Sequence, residues 1–191
     1  MKRIVILMSL ALLLAGGTAQ AQRALRGTRG IELSGGMADG FHRKDSGGGY
    51  WLGVGMSSYA KGANQWVFSV EYLNRKYPYK DGSIPLAQFT GAGGYYFNFL
   101  SDASKTLFLY LGGSAMAGYE TVNWGERLLE DGAKIRNKDG FLWGGAVTLR
   151  IETYLSDRVI LLITGRERFL WGTTTGHFHT QVGVGLKFII N

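Results

Sequence analysis

The chain has 191 residues, of which 30 are glycine, 2 are proline and 46% are hydrophobic, and it carries a formal net charge of +7. It contains no cysteine, which excludes disulfide bonds, thiolate metal sites and a lipid-modified N-terminal cysteine. Abundant glycine beside so many hydrophobic residues excludes a low-complexity or collagen-like chain, and the length predicts a single domain.

The first 21 residues have the three parts of a secretory signal peptide. Lys2 and Arg3 form a positive start, residues 4–14 are almost wholly apolar, and small residues stand at Ala19 and Ala21. A transmembrane anchor is the alternative, but this apolar run is too short for the about 30 Å of hydrocarbon in a bilayer. We therefore predict a cleaved signal peptide over residues 1–21 and an exported protein.

A short basic arm follows, over residues 22–29. Without the two basic residues of the signal peptide, the chain has 19 basic and 14 acidic residues, and Arg23, Arg26 and Arg29 account for part of the excess. A basic arm can bind nucleic acid, but an exported chain meets little of it, so we expect no direct nucleic-acid binding. The arm can instead contact anionic lipid headgroups, contact a protein partner, or serve as a solvated tail.

Runs in which apolar residues alternate with polar or small ones recur through the rest of the chain. In the last run the apolar face includes Val182, Val184 and Leu186, and the positions between them are glycine. Successive side chains of a strand point to opposite faces, so each run predicts a strand with one apolar face. At about ten to fourteen residues, the runs match a tilted membrane crossing better than a soluble strand. The eight predicted strands begin near Ile31, Tyr50, Trp66, Leu86, Leu107, Phe141, Val159 and Phe178.

The seven connections between these strands alternate in length. Those over residues 39–49, 77–83, 121–139 and 170–176 are mostly longer and charged, and those over residues 61–64, 98–105 and 156–157 are mostly shorter. Outer-membrane barrels have long extracellular loops and short periplasmic turns. This alternation predicts a protein of the outer membrane of a Gram-negative-type envelope, with both termini in the periplasm.

Aromatic residues stand near the predicted strand ends on the apolar face, where the girdles of a membrane barrel lie. Glu167 is the exception on this face, and its place near the outer end makes its charge tolerable. We therefore predict an all-β fold, an eight-stranded antiparallel outer-membrane β-barrel over residues 30–191. A soluble exported barrel or sandwich, such as a lipocalin, is the alternative. The predicted girdle residues are Tyr50, Trp66, Tyr72, Phe97, Trp143, Phe169 and Phe188.

Charged residues on the opposite face are predicted to lie in the barrel lumen. An eight-stranded barrel is filled by its own side chains, so such charges must pair. Glu32 and Lys187 stand on the two strands that close the barrel and are expected to approach each other. Glu71 and Arg166 form a second expected pair. The complete predicted set is Glu32, Glu71, Arg75, Arg150, Glu152, Arg166, Arg168 and Lys187.

Signals of catalysis are weak. His177 and His179 share the predicted inward face at the outer rim, a geometry that could bind metal or provide a general base. Thr175 and Glu167 nearby do not complete a known triad or ligand set, so hydrogen bonding at the rim is the expected role. We predict no catalytic residues, no metal and no cofactor.

Several segments together resemble one family. These are 84–91, then 118–126 with 131–135, and then 152–158 with 165–166 and 170–172. In this order and spacing they resemble the TraO family of conjugative-transposon transfer proteins. The resemblance implies an outer-membrane part in conjugal DNA transfer, and it brings no catalytic residues. The candidate partner-contact loop contains Tyr119, Glu120, Asn123, Gly125, Glu126, Asp131 and Lys134.

Three hypotheses of function follow. The first is a non-enzymatic barrel in, or accessory to, the mating apparatus, with outer-membrane lipid and other conjugation proteins as its partners. The second is a general surface barrel for adhesion or envelope integrity. The third is an outer-membrane lipid-modifying enzyme acting through His177 and His179.

Overall fold

The computed structural model describes residues 24–39, 49–79, 82–126, 134, 139–174 and 176–190. The predicted signal peptide over residues 1–21 lies outside the described residues, as do the first two residues of the basic arm. Residues 25–28 lead into the first strand, and Arg29 already belongs to it.

Eight antiparallel strands form one closed barrel, as predicted. Each strand pairs with the next along the chain, and the first strand pairs with the last. Among the described residues, no helix is long and apolar enough to cross a membrane. Single turns of 3-10 helix stand at Lys61–Ala63 and Asn123–Gly125. The strands are β1 (Arg29–Ala38), β2 (Gly49–Tyr59), β3 (Gln65–Tyr79), β4 (Gly82–Ser101), β5 (Leu107–Val122), β6 (Gly140–Tyr154), β7 (Val159–Trp171) and β8 (Phe178–Ile189).

Alternation along each strand divides the apolar outer wall from the lumen. On β8, Phe178 and Val184 are exposed, whereas His179, Gln181 and Lys187 are buried inside. The predicted aromatic residues all point outward, and several touch across neighbouring strands, as in the stacked pair of Trp143 and Trp171 with ring centroids 5.1 Å apart. The outward and inward faces that were predicted for the strands are therefore confirmed. An apolar outer surface of this extent suits a lipid environment.

The two ends of the barrel differ, and we name them by their residues. The lower rim comprises residues 24–28, the turns over 60–64, 102–106 and 155–158, and Ile190. The upper rim comprises Asp39, the ends of the β3–β4 hairpin, residues 123–126, residues 172–174 and residues 176–177.

The β3–β4 hairpin rises above the other strands of the upper rim. The sequence predicted a loop over residues 77–83 here, but β3 continues to Tyr79 and β4 restarts at Gly82, so the strands are longer than predicted. Among the described residues, β2 pairs with β3 only as far as Arg75, and β5 pairs with β4 only from Leu86. Both prolines of the chain, Pro78 and Pro85, lie in this protruding part, where a neighbouring strand does not need their missing N–H groups.

Apolar clusters occupy part of the lumen and share it with the buried charged side chains. The cluster nearest the lower rim contains Phe108, Tyr110 and Ile160, and another towards the upper rim contains Trp51, Leu73 and Leu86. A third joins Met116, Leu142 and Leu170. The barrel interior is therefore a packed core, as expected for eight strands.

Candidate functional site

Lys187 lies at the centre of the lower charged network. It is on β8, is 0% exposed, and donates hydrogen bonds to Glu152 Oε1 at 2.6 Å and Gln65 Oε1 at 2.7 Å. Its Nζ is also 3.2 Å from Glu32 Oε1. Glu32 and Lys187 are directly opposite in the β1–β8 pairing, which confirms the predicted contact across the closing seam.

Arg150 extends this network across the barrel. Its Nη1 lies 3.1 and 3.0 Å from the two oxygens of Glu32 and 3.7 Å from Glu152 Oε1. Its guanidinium also stacks over the ring of Tyr96, 4.6 Å from the centroid. Glu152 receives two further hydrogen bonds, from Tyr59 and from Gln65, each at 2.9 Å. Nearly every charged atom of this group is therefore satisfied inside the barrel, as buried ions require.

The predicted pair of Glu71 and Arg166 is also present. Arg166 Nη1 donates to Glu71 Oε1, and Arg166 Nε donates to Thr148 Oγ1 at 3.1 Å. These residues come from β3, β6 and β7, which do not all neighbour one another. The contact therefore spans the lumen.

Arg168 differs from the other buried cations. It is 0% exposed, yet no described side chain or backbone group accepts a hydrogen bond from Nε, Nη1 or Nη2. The second oxygen of Glu71 is likewise without a hydrogen-bond donor among the described residues. Two predicted lumen residues are thus placed as expected without being fully paired.

A clamp at the upper rim joins three strands. Asp39, directly after β1, accepts a hydrogen bond from Arg75 Nη1 at 2.7 Å and lies 2.7 Å from Nδ1 of His179. Its other oxygen accepts from the backbone N–H of Thr180 at 2.9 Å. Burial by itself would raise the pKa of Asp39, but the hydrogen bond and charge of His179 and the charge of Arg75 lower the pKa below its usual value. The carboxylate therefore stays ionised where it holds β1, β3 and β8 together.

The two predicted rim histidines do not act together. His179 points inward and is buried, with its Nε2 3.1 Å from the carbonyl oxygen of Gly176. His177 precedes β8 and is exposed, with its Nδ1 3.0 Å from the carbonyl oxygen of Leu170. His177 lies just before β8, which begins at Phe178, so only His179 belongs to the inward face of that strand. Thr175 lies outside the described residues.

Glu167 faces outward as predicted. Thr180 Oγ1, on the neighbouring β8, donates a hydrogen bond to Glu167 Oε2 at 2.6 Å. This bond supplies a local partner for the one acidic group that the sequence places on the apolar face.

Two residues of the candidate partner-contact loop lie on a strand. Tyr119 and Glu120 belong to β5, and Glu120 points into the lumen, where Gln88 donates to its Oε2 at 2.7 Å. Thr174, in the β7–β8 connection, binds Glu120 Oε1 through its backbone N–H at 2.8 Å and its hydroxyl at 2.7 Å. Glu120 thus holds the β7–β8 connection in place through Thr174.

Three of the remaining loop residues, Asn123, Gly125 and Glu126, lie at the upper rim. Asn123 and Gly125 form the 3-10 turn with Trp124, whose side chain is 61% exposed, and Glu126 follows. Lys134 is exposed, and Asp131 lies outside the described residues. Asp139 fixes the base of the loop by accepting hydrogen bonds from the Val122 N–H and the Thr121 hydroxyl, both at 2.9 Å.

The model of the family described as conjugative transposon protein TraO matches residues 25–190, which is almost the whole described chain. The chain belongs to the TraO family. No curated protein shows significant sequence similarity to it.

Solved structures similar to this TraO barrel share its fold at low identity. The Ail attachment invasion locus protein of Yersinia pestis, in complex with the heparin analogue sucrose octasulfate, is similar with a TM-score of 0.56 and 10% identity, over 87% of this chain and 100% of that one. Neisserial surface protein A is similar with a TM-score of 0.50 and 14% identity, over 85% and 96%. These proteins support the eight-stranded outer-membrane barrel fold.

The charges inside the TraO barrel are balanced. Among the described residues, five buried or half-buried acidic groups face five buried basic ones, and the described residues contain no group of side chains suited to hold a metal ion. Matched charge favours the burial of these groups, since a buried ion without a counter-charge is expensive. The acidic groups are Glu32, Asp39, Glu71, Glu120 and Glu152, and the basic groups are Arg75, Arg150, Arg166, Arg168 and Lys187.

Proposed function

We propose that this TraO protein is a non-enzymatic outer-membrane component of, or accessory to, the DNA transfer apparatus of a conjugative transposon. The family match over residues 25–190 carries the proposal, because it covers the complete barrel rather than one motif. Its partners would be outer-membrane lipid and other proteins of that apparatus.

The filled lumen supports a role through surface contacts. Large side chains such as Tyr96, Arg168 and Lys187 are fully buried within the barrel, and eight strands leave no room for a wide solute. A nucleic-acid strand therefore would not pass through this barrel. Contact with other proteins is the remaining way for it to serve transfer.

In the proposed orientation the lower rim faces the periplasm. Its turns are short, and the described ends of the chain, Ala24 and Ile190, both lie there. The upper rim, which carries the protruding β3–β4 hairpin and the longest connection, would face outward. Exposed aromatic side chains are frequent anchors of protein interfaces, and Trp124 is exposed at the start of the β5–β6 connection.

The test is a transfer assay. An in-frame deletion of the gene should lower the frequency of transposon transfer, and the wild-type gene should restore it. The variant Trp124→Ala should restore less, because loss of an interface anchor costs about 2 kcal/mol or more of binding. Trp171→Ala is the matched control, since Trp171 is exposed on the outer wall below the rim and stacks on Trp143.

Each outcome decides between hypotheses. Both variants must run as folded barrels, faster unboiled than boiled, for the comparison to count. Undiminished transfer after deletion would refute the proposal. If the deletion instead altered detergent or serum sensitivity, a general surface barrel would be favoured.

A further inference from the structure

A groove at the lower rim combines two cations with two aromatic rings. It is lined by Arg26, Ala60, Lys61, Trp66 and Tyr95. Trp66 and Tyr95 are exposed on the outer wall at the beginning of β3 and in the lower part of β4, and their rings meet edge to face with centroids 4.9 Å apart. Lys61 belongs to the β2–β3 turn, and Arg26 to the segment before β1.

The two cations of the groove are available to a ligand. Arg26 and Lys61 are both exposed, and neither has a carboxylate within ion-pair distance among the described residues. By contrast, four of the five cations of the lumen lie within ion-pair distance of carboxylates, namely Arg75, Arg150, Arg166 and Lys187. Two unneutralised positive charges beside interfacial aromatic rings therefore distinguish this groove.

The walls of the groove are fixed by hydrogen bonds. The segment that carries Arg26 is tied to β2, because Gly27 N–H donates to Tyr59 O at 2.8 Å and Tyr59 N–H donates to Thr28 O at 2.9 Å. The turn that carries Lys61 is closed by the Ala60 N–H bond to Asn64 O at 2.6 Å. Asn64 Oδ1 in turn accepts from Asn98 N–H on β4 at 2.8 Å. The groove is therefore preorganised, which lowers the entropy cost of binding.

The geometry points to a site for the headgroup of an anionic phospholipid in the leaflet at the lower rim. Trp and Tyr rings mark the level of the headgroups, and Lys and Arg side chains at this level bind lipid phosphate. The Trp66 and Tyr95 rings would pack on the glycerol and upper acyl chain, while Arg26 and Lys61 would bind the phosphate. This assignment rests on the orientation given in the proposed function, in which the lower rim lies in the periplasmic leaflet.

Charge elsewhere on the lower rim agrees with the assignment. Among the described residues of this rim and the first position of β1, five are basic and two are acidic, so the rim attracts anionic lipid in general. The groove adds to that attraction a defined place where charge and aromatic surface coincide. The basic residues are Arg26, Arg29, Lys61, Lys105 and Arg158, and the acidic ones are Asp102 and Asp157.

The experiment measures lipid binding to the purified, detergent-folded barrel by native mass spectrometry. The probes are dioleoyl-phosphatidylglycerol and, as the uncharged-headgroup reference, dioleoyl-phosphatidylcholine. A basic residue near the membrane surface contributes about fivefold to binding of anionic lipid, so the wild type should prefer phosphatidylglycerol by about 30-fold. The double variant Arg26→Gln, Lys61→Gln should lose most of this preference and keep only the general attraction of the rim for anionic lipid. Arg158→Gln, a cation of the same rim on the β6–β7 turn, should retain it.

Three results would overturn the inference. They are equal binding of both lipids by the wild type, an equal loss in Arg158→Gln, and complete displacement of the lipid by millimolar inorganic phosphate. The altered residues are exposed, and the shift between boiled and unboiled samples on a gel would show that each variant is folded. Lipid preference and transfer frequency are separate readouts. A missing lipid preference would refute only the lipid site and would not affect the transfer result. Unimpaired transfer after deletion would refute only the proposed function.

Discussion

Removal of Lys187 should destabilise the barrel more than removal of any surface lysine. In Lys187→Met the side chain keeps a similar length but loses the ammonium that lies between Glu152, at 2.6 Å, and Glu32, at 3.2 Å. Both carboxylates are buried and would then share Arg150 alone. Breaking a buried ion pair by removing one partner costs about 3–5 kcal/mol, so we expect a loss of this size in the free energy of unfolding.

A second variant separates the charge effect from packing. In Lys187→Met, Glu152→Gln the surplus carboxylate is also neutralised, while the amide still accepts the hydrogen bond from Tyr59 or Gln65. The double variant should therefore be less destabilised than the sum of the single variants by about 1–3 kcal/mol, as expected for residues in one network.

The assay is urea unfolding of the barrel in lipid vesicles, followed by tryptophan fluorescence and far-ultraviolet circular dichroism. Lys105→Met is the control, because Lys105 is exposed in the β4–β5 turn, and its change should stay within about 0.5 kcal/mol. A loss below about 1 kcal/mol for Lys187→Met, or additive single and double variants, would refute the reasoning that the lumen is held by coupled ion pairs.

Two further predictions concern the upper rim and the inner wall. Asp39→Asn should cost about 1–3 kcal/mol at neutral pH, since charged hydrogen bonds to Arg75 and His179 are lost. The pKa of Asp39 is lower in the folded than in the unfolded chain, so its contribution is complete above its usual value of 3.8 and is lost as the pH falls below it. The difference between wild type and variant in unfolding free energy should therefore shrink below about pH 4, and a constant difference would argue against the clamp. Gly144→Ala should prevent folding, because a Cβ there would clash with the backbone carbonyl oxygen of Phe169. Gly165→Ala has open space on the outer wall and should fold, and equal gel mobility shifts for both variants would contradict this.

Contacts between neighbouring strands followed readily from the sequence, and contacts across the lumen followed only in part. Glu32 and Lys187 were predictable because the first and last strands of a closed barrel must pair. Glu71 and Arg166 were predictable because opposite charges stood at similar heights on inward faces. The clamp around Asp39 was missed, since it depends on a residue beyond the end of β1 that curves back onto β3 and β8.

At the upper rim, too, the sequence could predict local placement but not long-range contacts. The resemblance placed Glu120 in a contact loop, but its position on the inner face of β5 directs it to Gln88 and Thr174. Alternation could have indicated this, because Glu120 has the same inward parity as Met116. The bond to Thr174 could not have been predicted, since it joins residues 54 positions apart through an irregular connection.

The sequence alone determined which face of each strand meets lipid, how many strands there are and which two close the barrel. These properties follow from a side-chain period of two, which is local and repeats in every strand. The tertiary structure decided how the inward charges pair, because the stagger and tilt of the strands bring together residues far apart in the chain. It also decided where strands continue beyond the membrane-facing wall, as in the β3–β4 hairpin, where Tyr79 pairs with Gly82. Backbone pairing in such a hairpin does not require an apolar face, so the sequence pattern does not indicate it.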